Sequence, residues 1–294
     1  MLSILIPLYN YNISELLNSV YSQCEHANII YEIIILDDNS STKQNKIIND
    51  KNVIFIKNES NIGRTETRQK LSKKAQYNWL LFLDADVLPV NTNFIENYFN
   101  KTKSINFDLC YGGLKYSAEK PSKNEILRWK YGIAKEDISP EVRKKKPFKN
   151  ITSANLLIKK ELFIDTNKEL IGNLYGYDTI FSLKLIAKKA KVLHIENPVY
   201  HLGLESNEVY LKKKELSVET IFKLYKNKKL NTGNNDLLKA FVFLKKTKLI
   251  TLVASIFKQT KKILTRNILS SNPNIKLLNL YKLGYFCQVY SNEK

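Results

Sequence analysis

The chain has 294 residues, 44% of them hydrophobic and 11% aromatic, enough apolar material for a sizeable core and too much for wholesale disorder. Its formal charge of +19 is uneven, because residues 205–294 hold 18 Lys and Arg against 6 Asp and Glu, a surplus of 12. Cys24, Cys110 and Cys287 are odd in number, far apart and without metal-site spacing, which argues against a zinc site or disulfide framework and for reduced cytosolic thiols.

The opening residues 1–7 carry no basic start and the chain turns polar by Asn10, so they read as part of a first strand at Leu2 to Leu8, not a secretory leader. No apolar run approaches the ~20 residues of a membrane span, which predicts a soluble or peripheral protein. Strand-like runs follow at 31–36, 53–56 and 79–83, separated by segments of helical period. Asn12 and Glu15 mark a helix start, after which Ile13, Leu16, Leu17 and Val20 share one face. This βαβ series predicts parallel strands joined by crossover helices. Further along, a strand runs into Gly112 and Gly113, a helix covers 124–133, and a basic loop covers 138–150. A strand at 155–159, a helix at 178–190 and a strand at 191–195 come next, and helices dominate from 205 onward.

The most informative segment is Trp79-Leu80-Leu81-Phe82-Leu83-Asp84-Ala85-Asp86, where five apolar residues run into two carboxylates. It reads as a buried parallel strand delivering the pair to its carboxyl end, where open α/β sheets bind ligands. Mg2+ or Mn2+ fits there, since such ions take one or two protein carboxylates and leave the other positions to substrate phosphates and water. A solvated acidic turn would use the same residues.

Three other motifs precede it. Pro7 stiffens a strand exit where Tyr9 and Asn10 follow, and the ring of Tyr9 can face a base. Asp38 ends an aliphatic run and can accept a hydrogen bond from a nucleobase, while Asp37 and Asn39 suit a turn. Gly63 permits a tight backbone before Arg64, and Arg68 one turn later either meets a phosphate or braces the acidic loops.

These four motifs, Ile6-Pro7-Leu8-Tyr9-Asn10, Leu36-Asp37-Asp38-Asn39-Ser40-Ser41, Asn61-Ile62-Gly63-Arg64 with Arg68, and Asp84-Ala85-Asp86, stand in an order that resembles the inverting glycosyltransferases of family 2. The resemblance covers roughly residues 2–90. It implies the GT-A fold, a Rossmann-like α/β architecture with a mainly parallel sheet flanked by helices, here with a helical C-terminal extension. It also implies a nucleotide-binding half at 1–100, an acceptor and catalytic half at 101–204 and a basic extension at 205–294. By resemblance Pro7, Tyr9, Asn10, Asp38, Arg68 and Asp84 hold the nucleotide, and Asp86 is the direct ligand of Mn2+ or Mg2+. Asp84 contacts the ribose or the ion's water shell. The implied donor is a nucleotide sugar, a UDP-sugar foremost, and the implied acceptor a glycan or lipid-linked glycan.

Inverting transfer needs a carboxylate base on the acceptor side. Asp178, in Tyr175-Gly176-Tyr177-Asp178-Thr179, occupies the place where the family usually carries Glu-Asp at a helix start, and Tyr177 replaces the Glu. A helix cap is the other reading of Asp178. The segment 197–203 resembles one that follows the base helix in many bacterial members, so His201 is a third candidate metal ligand, or an incidental loop histidine. Arg128, Trp129 and Tyr177 are candidate acceptor contacts, with a buried helix face as the other reading of the first two. Arg143 to Pro147 reads as a lid or a solvated loop, and Ser153-Ala154-Asn155 as an acceptor-cleft lining.

In the extension Leu249, Leu252, Val253, Ile256, Ile263 and Leu264 fall on one helical face, opposite Thr251, Ser255, Lys258 and Lys262. Such a helix either lies on an anionic membrane surface or packs inward. The expectation is a cytoplasmic enzyme, peripheral to the inner face of the cytoplasmic membrane. A sugar nucleotidyltransferase would want a glycine-rich loop after the first strand, and an aspartate-dependent phosphatase would place its nucleophile near that strand. A non-enzymatic membrane- or nucleic-acid-binding protein would leave the ordered acidic motifs unused, so nucleic acid is not expected as a partner.

Overall fold

Seven consecutive buried residues form β2 (Tyr31–Asp37), and β1 (Leu2–Leu8) beside it is buried at all but one position, which is how an apolar run behaves when both faces of a sheet are covered. In this computed structural model β1 pairs in parallel with β2 and with β4 (Trp79–Leu83), while β3 (Val53–Lys57) extends the sheet beyond β2 as a largely exposed edge. The structure describes residues 1–42, 45–103, 106–168, 175–227 and 235–293. It divides into two compact units: Met1–Ser117 with Lys135–Asn173 and Asp178–Gly203, and Ala118–Ala134 with Leu174–Tyr177 and Leu204–Lys294.

In the first unit the chain runs outward from β1 to β2 and β3, then returns to place β4 on the other side of β1. The strand order therefore reverses at β1, and the crevice outside the carboxyl ends of β1 and β4 is where such sheets hold ligands. Beyond β4 come β8 (Asn155–Lys159) and β6 (Leu109–Tyr111), antiparallel neighbours, and then β9 (Val192–His194) parallel to β6. The sheet is mainly parallel. Helix α1 (Ser14–His26) covers it with Leu16, Leu17, Val20 and Cys24, and α2 (Arg64–Lys74) buries Thr65, Thr67, Arg68, Leu71 and Ser72. Helices α3 (Phe94–Thr102), α6 (Lys160–Asn167) and most of α7 (Tyr177–Ala187) complete the layers.

A second small sheet orders β5 (Val87–Pro89), β10 (Val199–His201) and β7 (Leu114–Lys115). Strands of two or three residues leave too little periodicity to be read from sequence, and none of the three was expected. A buried polar network holds this sheet in place. Asn155 Nδ2 donates to the carbonyls of Gly113 (2.8 Å) and Asn197 (2.9 Å), and its Oδ1 accepts from the Tyr98 hydroxyl at 2.7 Å. Asn155 is thus an internal tie, not a cleft lining.

The segment expected as a basic loop contains the short helix α5 (Pro140–Lys144), and its Arg143 is buried. The Arg143 guanidinium donates to the carbonyls of Tyr111 (3.2 Å), Gly112 (3.2 Å) and Ile195 (2.8 Å), clamping the exits of β6 and β9. Gly113 has φ +99°, and a Cβ there would lie 2.9 Å from the same guanidinium, so the turn requires glycine on both counts. Neither a lid nor a solvated loop describes Arg143.

The second unit consists of α4 (Ile126–Lys135, up to Ala134), α8 (Asn207–Lys226), α9 (Asp236–Lys246), α10 (Ile250–Ile268) and α11 (Ile275–Asn292). Its core joins Leu127 with Tyr210, Leu211, Phe257, Leu264, Ile268, Leu278 and Tyr281. Asn207 pins α4 to α8: its Oδ1 accepts from the Leu127 amide at 2.9 Å and its Nδ2 donates to the Lys123 carbonyl at 2.9 Å. Helices α10 and α11 pack closely at Gly284, where a Cβ would come within 2.4 Å of the Phe257 ring. The inward face of α10 is accordingly Ile250, Ala254, Phe257, Leu264 and Ile268. Of the apolar face expected from sequence, Leu264 turns inward while Leu249, Leu252, Ile256 and Ile263 are exposed.

Replacing Arg143 by Met removes three hydrogen bonds from a buried guanidinium, each worth about 1.5–3 kcal/mol, although the Tyr111 and Gly112 carbonyls keep the Ile195 and Asn197 amides as donors. The Arg143→Met variant is expected to melt several degrees below wild type in a calorimetric scan; an unchanged transition would show that the strand exits hold without the clamp.

Candidate active site

The carboxyl ends of β1 and β2 are tied together first. The amide of Asp38 donates to the Leu8 carbonyl at 2.8 Å, and the Asn10 amide donates to Ser40 Oγ at 2.8 Å. Asn10, at φ 49°, accepts from the Ser41 amide at 2.9 Å, while Asp37 Oδ1 accepts from the Ser40 amide at 2.9 Å, the turn role expected for Asp37. Pro7 stands in β1 opposite Leu36, and Tyr9 just beyond is 54% exposed.

Asp38 shapes the next loop. Its Oδ1 accepts from Asn58 Nδ2 (2.9 Å) and the Ile62 amide (2.8 Å), and its Oδ2 from the Gly63 amide (2.8 Å). A carboxylate has about four acceptor positions, so among the described residues one is left on Oδ2. Gly63, at φ +86°, starts α2, whose Arg68 is buried. Arg68 forms an ion pair with Asp84 Oδ1 and donates from its other terminal nitrogen to the Arg64 carbonyl at 3.0 Å. Of the two roles offered by the sequence, Arg68 here braces the acidic loop. Burial pushes the Asp84 carboxyl up, but the Arg68 charge and then that of Arg64 outweigh it and hold Asp84 below the ordinary aspartate range.

Asp86 immediately precedes β5, and the small sheet, which pairs His201 of β10 with Val87, brings that histidine to it, with Nε2 3.6 Å from Asp86 Oδ2. The Leu202 amide donates to the Asp86 carbonyl at 2.8 Å, and a Cβ at Gly203 would lie 2.0 Å from Asp86 Oδ2. Glycine at 203 therefore leaves the room the carboxylate occupies. Nδ1 of His201 is buried without a hydrogen-bond partner among the described residues. One carboxylate oxygen and one imidazole nitrogen facing each other suit a divalent ion such as Mn2+, and Asp84 lies two residues away. Among the described residues no three His, Cys, Asp or Glu side chains form a complete cage, so such an ion would draw the rest of its shell from phosphate and water.

The sequence reading missed Tyr116 and named Glu136 only as a fallback for the base, with Glu141 and Glu196. The ring of Tyr116, just past β7, stacks on His201 with centroids 5.6 Å apart, and its hydroxyl donates to Glu136 Oε2. Neither stands in a motif. Asp178 is the second residue of α7, inside its first turn, so it is not the capping residue itself. Burial pushes its carboxyl up, Arg64 and Arg68 pull it down, and Asp84 with Glu136 push it up again; the net shift is above the ordinary value. These couplings put Asp178 in the same electrostatic neighbourhood as Asp84, Arg64 and Glu136.

Arg128, Trp129 and Tyr177 belong to the second unit. Arg128 is buried with its guanidinium 5.3 Å from the Tyr210 ring centroid, Trp129 is half-buried and Tyr177 is buried.

A sequence profile described as glycosyl transferase family 2 matches residues 3–166. An uncharacterized glycosyltransferase of Methanocaldococcus jannaschii is 25% identical over 230 residues, 72% of this chain and 74% of that protein. Another, of Haemophilus influenzae, is 28% identical over 203 residues, 63% of this chain and 62% of that protein. Among solved structures, a mannosyltransferase from Pyrobaculum calidifontis in complex with GDP-Man and Mn2+ is similar in fold over 99% of this chain and 86% of that one, with TM-score 0.55 and 9% identity. S. aureus TarS 1–349 in complex with UDP-GlcNAc matches over 100% of this chain and 92% of that one, with TM-score 0.49 and 15% identity.

Two variants probe the geometry. Gly203→Ala forces the Asp86 carboxylate to turn, and it is expected to weaken Mn2+-dependent nucleotide binding at least ~10-fold by calorimetry while leaving the melting temperature unchanged. Arg68→Ala removes the ion pair of a partly exposed carboxylate, for an expected loss of about 1–3 kcal/mol at neutral pH. Because the pair holds the Asp84 pKa down, its stabilisation is present above the unfolded pKa and is lost as pH falls through the folded one. The gap between the melting curves of wild type and variant should therefore narrow in acid.

Proposed function

The chain belongs to glycosyl transferase family 2, and on that premise we propose that it moves one sugar from a nucleotide-sugar donor, a UDP-sugar foremost, to a hydroxyl of a glycan or lipid-linked glycan, with inversion at the anomeric carbon. The observation that carries this reading is the meeting of Asp86 and His201, 3.6 Å apart, beside the braced Asp84 at the mouth of a mainly parallel sheet. The architecture is GT-A, a central sheet between helices with a helical C-terminal region.

In this reading the nucleoside lies over the ends of β1 and β2. Tyr9 offers its exposed ring to the base, and Asp38 offers the remaining acceptor position on Oδ2. Pro7 and Asn10 fix the backbone between them. Arg64, exposed at the start of α2 and felt by both Asp84 and Asp178, meets the diphosphate, while Arg68 keeps Asp84 ionised and aimed at the ribose. Asp86 with His201, and Asp84 through water, would hold Mn2+ or Mg2+, which when bound supplies positive charge to the departing diphosphate.

Asp178 supplies the base. It takes the proton of the acceptor hydroxyl as that oxygen bonds to the anomeric carbon, while the bond to the phosphate oxygen breaks and its electrons leave with the nucleoside diphosphate. Glu136, held by the Tyr116 hydroxyl and felt by Asp178, is the residue we assign to the acceptor contact that Tyr177 lacks the carboxylate to make. Trp129, Tyr177 and Arg128, expected as acceptor contacts, lie in the second unit, with Arg128 packed on Tyr210. A lipid-linked acceptor fits a cytoplasmic enzyme that is peripheral to the inner membrane face. Among the described residues no helix is long and apolar enough to cross a membrane.

Asp178→Asn keeps size and shape but cannot take the proton. Donor binding is expected near wild type, with transfer reduced at least ~100-fold, and NMR of the wild-type product should find the anomeric configuration inverted. Retention, or full turnover by the variant, would overturn the assignment. Asp86→Asn should lose both Mn2+-dependent nucleotide affinity and transfer; unchanged affinity would remove the metal role. Since Asp178 works only deprotonated and its pKa is raised, kcat/KM should fall on the acid side at a pH above the ordinary aspartate value. Glu136→Gln, which removes a negative neighbour, should move that limb to lower pH.

A further inference from the structure

Between Asp236 and Glu293 the chain runs 56 residues with ten Lys and Arg and no Asp or Glu. This acid-free stretch covers α9 beyond its first residue, Asp236, and the whole of α10 and α11. At the exposed turn from α9 to α10, Phe243 is 63% and Leu249 40% exposed, with Lys245, Lys246 and Lys248 exposed between them. Along α10 the ridge continues from Leu249 through Leu252 (56%), Ile256 (50%) and Ile263 (72%), in successive helical steps of three, four and seven residues. Lys258, Lys262 and Arg266, four apart and exposed, form a parallel row beside it. Neither row is the inward face of the helix, because Ile250, Ala254, Phe257, Leu264 and Ile268 already fill that role and Phe257 packs on Tyr281 with centroids 5.1 Å apart.

We propose that the outer face of α10, together with the α9–α10 turn, docks on an anionic lipid bilayer surface. The inference rests on the second unit alone and stands independently of the transfer reaction. A helix lying in the headgroup region buries a ridge of large aliphatic side chains and keeps its cations level with the phosphates, which is the arrangement of these two rows. A second copy of this chain would be the other way to cover the ridge. A two-fold contact would bring the same unbalanced lysines against themselves, and that repulsion selects an anionic surface instead. Nucleic acid would match the charge and leave the aliphatic ridge in water.

The full chain is tested by co-sedimentation with vesicles of phosphatidylcholine, with and without phosphatidylglycerol. Binding is expected only with phosphatidylglycerol, weakening as salt rises, and falling at least ~10-fold when Leu252, Ile256 and Ile263 are all changed to Ser. These positions are exposed, so the thermal transition should not move; if the triple variant fails to fold, the single Ile263→Gln variant carries the comparison with a smaller expected loss. Failure of the wild type to bind phosphatidylglycerol vesicles would overturn the proposal. So would equal binding by a folded variant, or a wild-type dimer in ultracentrifugation that the substitutions convert to monomer. Loss of transfer with vesicle binding intact would overturn only the enzymatic reading.

Discussion

A buried arginine against a strand-end carboxylate organises the first unit of this protein. Arg68 comes from a helix and Asp84 from the end of a central strand, so their ion pair fixes how α2 lies on the sheet. It also holds the Asp84 carboxyl low against a burial that by itself would raise it. The loop leading into α2 is set by another carboxylate, Asp38, whose three hydrogen bonds include the amides of Ile62 and Gly63. The sheet thus spends two acids on its own loops before any ligand arrives, and the arginine beside them makes that density of negative charge tolerable.

The acids left to act on a ligand are positioned by the smaller sheet. Three short strands, pinned by Asn155 and by the Arg143 clamp, carry Asp86 to His201 and carry Tyr116 over the His201 ring. Through the Tyr116 hydroxyl this geometry reaches Glu136, whose charge is felt at Asp178. A chain of contacts and fields therefore runs from the candidate metal ligands to the candidate base.

Charge is partitioned along the chain as sharply as chemistry. The acidic constellation lies in the first unit, and the longest acid-free basic stretch lies in the second. A helix whose inner face packs on its neighbour and whose outer face is again apolar departs from the single stripe of an ordinary surface helix. Gly284 allows this on α10: close packing of Phe257 moves the buried stripe to one side and leaves the remaining aliphatic residues outward.

The sequence by itself determined the start of the main sheet: β1 and β4 have the bounds their apolar runs predicted, and Asp38, Arg68, Asp84 and Asp86 stand at strand ends or in the loop and helix beside them. Such features are legible because long buried strands and their exits are local patterns, with period and punctuation contained in a few consecutive residues. Only the tertiary structure decided that Arg68 braces Asp84, that Arg143 and Asn155 are internal ties, that Tyr116 links His201 to Glu136, and which side of α10 faces inward. Each of these depends on a partner between 16 and 85 residues away. Strands of two or three residues, and a helix with apolar side chains on two sides, carry no periodicity that selects the partner; packing does.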